Sequence, residues 1–318
     1  MIRVGICAWA DEALIESGAF YPKKSMTSEA RLRFYAESFD AVEVNSSFYA
    51  IPAARNVLRW AERTPPGFVF HVKAYAPMTG HHPRVETLPA DVQAMLPARV
   101  ARTHRGEIMS TSLPPPALDS IFRQFRAALT PLEDAGKLGY VLFQFAPWVR
   151  FARAHLDYLE TLPARCPGWR VAVEFRDRSW FPDHGDETLT VLRRAGLAHV
   201  VIDGPPLAQA MPGVVARTAP WSVFRLHGRN GNGWLRQLRG EEPAVREKYD
   251  YLYSEEELRG LVRDVEAIAQ EAEDVFVSFN NNNRDYPVRN AGMMKRLLGL
   301  ATASEPPRAS SGDLFAAP

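Results

Sequence analysis

Two cysteines in 318 residues, Cys7 and Cys166, stand far apart and outside any CxxC or Cys/His spacing. Such scarcity excludes a disulfide framework and a cysteine-based zinc site, and points to a reducing compartment. Long apolar runs are missing as well. No stretch approaches the roughly 18 apolar residues that a membrane-spanning helix needs. The opening MIRVGICAWADE is too short and too polar for a secretory signal. Cytoplasmic residence with no membrane partner is therefore the expectation. Charge of one sign is also lacking, since 38 Lys plus Arg against 37 Asp plus Glu leave a net charge of +1. No global field then draws the chain to nucleic acid or anionic lipid, so any anion binding has to come from a local patch. No strand-like run leads into a GxGxxG turn, which argues against an open doubly wound dinucleotide fold.

What is present is ordinary globular composition, 46% hydrophobic and 24% charged. Eight short runs rich in branched and aromatic residues read as strands: RVGICAW (3–9), AVEVNS (41–46), FVFHVK (68–73), YVLFQF (140–145), RVAVEF (170–175), HVVID (199–203), SVFRLHG (222–228) and VFVSFN (275–280). Helix-length amphipathic segments separate most of them, and VRNAGMMKRLLGLA follows the last. Only GPPLAQAMPG, after the sixth strand, lacks a convincing helix. Repeated βα units imply a parallel sheet, and eight of them suggest closure. The expected fold is α/β, a single (β/α)8 TIM barrel over residues 1–301, with the open doubly wound sheet as runner-up. Residues 74–117 form a long insert after the third strand, of a length that is usually functional. The small, polar, Pro-rich segment 302–318 is expected to be disordered.

Alternation along each strand sends one parity toward the barrel axis. That parity carries Glu43 and Asn45, His71 and Lys73, Glu174 and Arg176, and Arg225, His227 and Arg229, with Gln144, Asp203 and Asn280 at strand ends. The other parity is almost wholly apolar. These polar residues lie toward the C-terminal ends of their strands, where barrel active sites form. Buried charges stabilise a fold poorly compared with apolar residues of the same volume, so so many of them favour a pocket over mere filling. Asn280 to Asn283 would then rim the mouth, and HGRNGNGW (227–234) would offer backbone N–H groups to an anion, although Gly/Asn turns also occur for conformational reasons alone.

At this point the motifs resemble the YecE-like family, a TIM-barrel domain of unknown function, over roughly residues 2–300. Gly5 and Trp9, Phe20-Tyr21-Pro22, Val42 to Tyr49, Phe70 to Lys73 and Phe143-Gln144 carry the resemblance. So do Glu174-Phe175-Arg176 with Ser179-Trp180, Arg225 to Arg229, Phe279-Asn280-Asn281 and Asn290-Ala291. The chain departs from the pattern at Ala8, where the family has glycine, and at Ala146-Pro147, where it has Pro-Pro. Thr79-Gly80-His81-His82 replaces a Thr-His pair, and Asn282 and Asn283 occupy a region where a histidine is common. The resemblance implies the fold and assigns no activity.

For chemistry, Glu174 and Lys73 are the leading acid/base pair, with Glu43 and Asp203 as further carboxylates and His227 as a proton shuttle or neutral donor. Trp9, Tyr49 and Trp180 could stack on a ligand, and Asn45, Gln144, Arg176, Arg229, Asn280 and Asn281 could bind it. The expectation is a small hydroxylated or phosphorylated ligand and chemistry of the hydrolase, lyase or isomerase kind. A glycosidase would need Glu43 and Glu174 at a suitable separation. A Schiff base on Lys73 is an alternative, and Cys7 reads as a core thiol rather than a nucleophile. No cofactor is expected. A divalent ion on Glu43, Glu174, Asp203 and His227 is the minority reading, because Lys73 and two arginines would oppose it. The competing class is a binding protein without turnover. RVARTHRG (99–106) could hold nucleic acid, and GDLF (312–315) weakly resembles sliding-clamp peptides.

Overall fold

A computed structural model describes residues 1–301 apart from 209, 240 and 242–246. The eight strands are β1 (Ile2–Cys7), β2 (Ala41–Val44), β3 (Val69–Lys73), β4 (Leu138–Gln144), β5 (Val171–Glu174), β6 (Ala198–Asp203), β7 (Trp221–Leu226) and β8 (Asp274–Phe279). All neighbours pair in parallel, and β1 pairs with β8, so the sheet closes into a barrel. The sequence-derived (β/α)8 barrel is the observed fold. Its strands match those expected to within a residue or two.

The helices are α1 (Glu12–Ser17), α2 (Ser28–Ser38), α3 (Ala54–Glu62), α4 (Ala90–Ala94), α5 (Pro115–Asp134), α6 (Arg153–Arg165), α7 (Gly185–Ala195), α8 (Gly231–Leu238), α9 (Glu255–Ala269) and α10 (Tyr286–Leu297). α9 starts where the sequence says it should. Ser254 and Glu257 form a reciprocal capping box that satisfies two orphan donors. α5 lays Ile121, Phe125, Leu129 and Leu132 on the barrel wall. Each such burial stabilises by about 1.5–3 kcal/mol. No helix occupies the connection 204–220 among its described residues, as the sequence suggests. No helix of the described residues is long and apolar enough to cross a membrane.

Two apolar clusters divide the molecule. One lies between strands and helices and takes the outward parity, including Val42, Val44, Phe70, Val173 and Phe175. The other plugs the lower barrel with Val69, Tyr140, Leu142, Ala172, Val200, Val223 and Phe276. His71 belongs to this plug, with its ring stacked 3.9 Å from that of Tyr140. Gly5 shows how tightly the first two strands approach: a Cβ there would lie 2.1 Å from the Ala41 carbonyl oxygen. Tyr35 of α2 clamps the same spot, donating to Ala41 O and accepting from Ile6 N. Within the insert, Met78, Leu88, Val92 and Ile108 are buried, so it packs on the barrel rather than hanging free.

Candidate functional site

Above the apolar plug the axis turns ionic, and Arg225 is at its centre. The guanidinium on β7 donates to both Glu43 oxygens on β2, at 2.9 Å from Nε and 2.6 Å from Nη2. Its Nη1 donates to Glu174 on β5, and Nη2 lies 3.6 Å from Cys7 Sγ on β1. All four side chains are buried. Arg225 thus joins strands that are not neighbours, and it fills the space between two carboxylates where a glycosidase would hold a sugar ring. Burial and the adjacent Glu43 push the Cys7 thiol well above its ordinary pKa, so it stays protonated.

The second Glu174 oxygen collects three more donors. Gln144 Nε2 lies at 2.7 Å, Arg176 Nη1 at 2.9 Å and His227 Nε2 at 3.2 Å. Burial alone would raise the carboxyl, but Arg225, His227 and Arg176 outweigh it and hold Glu174 well below the usual range. Glu174 is therefore a fixed anion whose lone pairs are occupied, which ill suits a general base. Behind it runs a relay of amides. Asn282 Nδ2 donates to Asn280 Oδ1 at 3.4 Å, and Asn280 Nδ2 lies 2.9 Å from His227 Nδ1. This arrangement assigns the proton of His227 to Nε2, facing Glu174. Burial lowers the imidazole to about 4 despite the carboxylate, so His227 is neutral at pH 7.

Lys73, at the end of β3, differs from every other charge here. Among the described residues no carboxylate lies within ion-pair distance of its Nζ, which sits 4.2 Å over the Phe48 ring. Burial, then repulsion by Arg225, lowers it to about 8, against the pull of Glu43 and Glu174. Arg176 completes the set, 5.2 Å from the Trp234 ring. Three cations, Lys73, Arg176 and Arg225, thus face two carboxylates.

His81, from the insert, was not singled out by the sequence. Its ring is 4.7 Å from Phe48, on which Lys73 also rests, and its Nδ1 is 2.9 Å from Thr79 Oγ1. Burial, together with Lys73 and Arg176, lowers it to about 3. His82, by contrast, accepts from the Ser110 amide. Of the two histidines, His81 is the one that packs on Phe48 beside Lys73. Trp234, at the start of α8, is likewise a mouth residue that strand parity could not reach.

Several expected site residues lie elsewhere. Asp203 faces outward, because the inward parity of β6 is Ala198, Val200 and Ile202. Arg229 joins it there, at 3.0 Å from Nε and 2.6 Å from Nη2, with Tyr253 donating to the same carboxylate at 2.6 Å. The cause is Gly228, whose φ of 85° reverses the alternation after His227. Asn281 also points out, donating to Tyr251 O and Asn290 Oδ1 and so fastening the segment before α9. Trp9 is buried between Trp60 and Phe70, and Trp180 is fully buried against Phe175. Both are packing residues. Asn45 stays near the mouth, half-buried, with its Oδ1 unpartnered, and Tyr49 is 72% exposed.

A cavity of about 360 Å³ lies outside the barrel, under the connection 204–220, lined by Val201, Asp203, Phe224, Leu226, Arg229 and Leu261 among others. It is the space a helix would fill after β6. Its central polar groups, Asp203, Arg229 and Glu257, are paired with one another. The basic segment 99–106 forms an exposed turn closed by a bridge between Arg102 and Ile108. The segment 302–318, including GDLF, lies outside the described residues. Among the described residues no group of three or more His, Cys, Asp or Glu is placed to hold a metal ion.

Closed parallel barrel, apolar plug and polar C-terminal mouth together define a (β/α)8 protein with an axial polar site. The chain belongs to the family described as protein of unknown function DUF72, whose profile matches residues 3–311. It is 34% identical to UPF0759 protein YunF of Bacillus subtilis (strain 168), across 97% of this chain and 98% of that one. It is 26% identical to UPF0759 protein YecE of Escherichia coli (strain K12), across 67% of this chain and 62% of that one. The crystal structure of a DUF72 family protein from Enterococcus faecalis V583 matches with a TM-score of 0.76 at 25% identity, covering 95% of this chain and 96% of its own. A DUF72 family protein from Thermotoga maritima MSB8 matches with a TM-score of 0.71 at 29% identity, covering 94% and 99%.

Proposed function

We propose that the barrel mouth is an enzyme site for a small anionic ligand, phosphorylated or carboxylated and bearing hydroxyl groups, with Lys73 as the group that exchanges a proton with it. The observation that carries this reading is the surplus cation. Arg225 is matched by Glu43 and Glu174 and Arg176 by Glu174, which leaves Lys73, among the described residues, largely buried with no carboxylate at ion-pair distance. An oxyanion would supply a counter-charge, and the electrostatic gain grows in a site that excludes water.

A lysine at about 8 suits proton transfer near neutrality. At pH 7 about a tenth of it is the free amine, and the remainder holds the anion. Glu174 then serves as a fixed negative charge that orients Gln144, Arg176 and His227. The unpartnered Oδ1 atoms of Asn45 and Asn282 are acceptors suited to ligand hydroxyls. The reaction class this supports is proton abstraction and return, of the isomerase or lyase kind.

The test is a thermal-shift screen of sugar phosphates, hydroxy acids and inorganic phosphate against wild type, Lys73→Met and Glu174→Gln. A ligand that binds only the folded state at a hundred times its Kd stabilises by about 2.7 kcal/mol. Wild type should shift with one anionic class and Lys73→Met should not. Uncharged polyols shifting wild type and Lys73→Met equally would overturn the reading.

A further inference from the structure

An aromatic strip runs outward from Lys73 along one side of the mouth. Phe48, which carries the ammonium, meets Tyr49 at 5.1 Å and His81 at 4.7 Å, both perpendicular. His81 meets Trp148 at 5.6 Å, and Trp148 stacks with His82 at 4.7 Å. The buried end of the strip is the cation. Its outer members stand in solvent, Tyr49 at 72% and Trp148 at 50% exposure. The strip thus joins a charge at its inner end, through Phe48 and His81, to exposed rings at its outer end, an order that matches a ligand with a charged end and a flat end.

We infer that the ligand carries a flat aromatic or heteroaromatic ring that lies on Trp148 and Tyr49 while its oxyanion reaches Lys73. This rests on the anion-binding reading above and names the rest of the ligand. A ring fits the strip better than a sugar does. Sugar hydroxyls laid on an aromatic surface need polar partners beside it. Three of the strip's polar atoms are engaged within the protein: Trp148 Nε1 donates to Gly80 O, His82 Nδ1 accepts from Ser110 N, and His81 Nδ1 pairs with Thr79. At its outer end the strip offers chiefly the exposed rings of Tyr49 and Trp148. Base-to-aromatic stacking raises affinity by roughly tenfold or more per ring.

Isothermal titration of wild type, Trp148→Ala, Tyr49→Ala and Lys73→Met with inorganic phosphate, ribose 5-phosphate, phenyl phosphate and adenosine monophosphate tests the inference. The two ring-bearing phosphates should bind wild type at least tenfold more tightly than the other two. Trp148→Ala and Tyr49→Ala should each erode that advantage and leave phosphate affinity unchanged. Equal affinity for all four would overturn the ring and keep the anion site. A ring advantage untouched by both alanine variants would likewise overturn it. Absence of binding by every phosphate, in wild type as in Lys73→Met, would bring down the anion site and the ring together.

Discussion

Arg225 and Arg229 stand four residues apart in the chain, on opposite sides of the barrel wall. Each is forked onto carboxylates, with Glu43 and Glu174 inside and Asp203 and Glu257 outside. Yet the outer cluster is self-contained: the Tyr253 hydroxyl and the guanidinium between them satisfy Asp203, and nothing is left over. The inner cluster shares its space with two further cations, and one of them, Lys73, has no carboxylate at ion-pair distance among the described residues. The lesson is that residue type does not make a site. What marks a candidate is a charge balance left unclosed in a largely buried place.

The largest test of that contrast is to remove each guanidinium. Arg225→Met strands two buried carboxylates and should cost about 3–5 kcal/mol in urea unfolding. Arg229→Met acts on a side chain 31% exposed and should cost about 1 kcal/mol. Equal losses would erase the distinction. Glu43→Gln with Glu174→Gln should recover much of the Arg225→Met loss, since the stranded charge is its cause.

Acid should separate the clusters next. His227 and His199 are held at about 4 and His81 at about 3, all chiefly by burial, against an ordinary 6.5. Their unfolded forms bind protons first, so the stability they confer is complete above pH 6.5 and is lost as pH falls toward 4. Urea midpoints between pH 7.5 and 5 should fall accordingly, before most carboxylates titrate. A flat profile would mean that the histidines are hydrated.

Lys73→Met should do the opposite of an ordinary core substitution. Removing an unmatched charge should stabilise by about 1 kcal/mol while abolishing anion binding. The sign of its pH dependence follows from a folded value of about 8 below an unfolded 10.5. The penalty in wild type is full below pH 8 and disappears as pH rises to 10.5, so the two proteins should converge there. Smallest is Ala8→Gly. Ala8 has φ 77°, a left-handed conformation that costs a side chain about 0.5–1 kcal/mol, and glycine should return it without touching the ion network.

That last residue also shows how far the sequence could be read. The family's glycine before Trp9 is a conformational requirement that this chain meets with alanine, and the same turn sends Trp9 outward into the packing layer. Alternation placed Glu43, Lys73, Glu174 and Arg225 correctly because each lies within a regular strand. It failed at Arg229, which follows the left-handed Gly228; Asn281 obeys it, pointing outward after Asn280, and only its place in the asparagine run suggested the mouth. Asp203 was misplaced differently: it ends β6 on the outward parity, and only its charge suggested the axis. His81 and Trp234 come from loops, whose paths no periodicity encodes. Nor could spacing tell that Glu174 accepts four donors, which is why the proposed proton transfer is assigned to Lys73 instead.

The pairing of β1 with β8 bears on how the protein is made. Ile2 lies against Val275, and Glu43 meets its guanidinium 182 residues later. Translation at about 5–20 residues per second separates the first strand's synthesis from its partner's by tens of seconds. Until then β1 has one unpaired edge, and before β7 appears Glu43 and Glu174 are without Arg225. Closing the barrel joins the first and last strands made, and the Glu43–Arg225 pair ties β2 to β7 across the same axis.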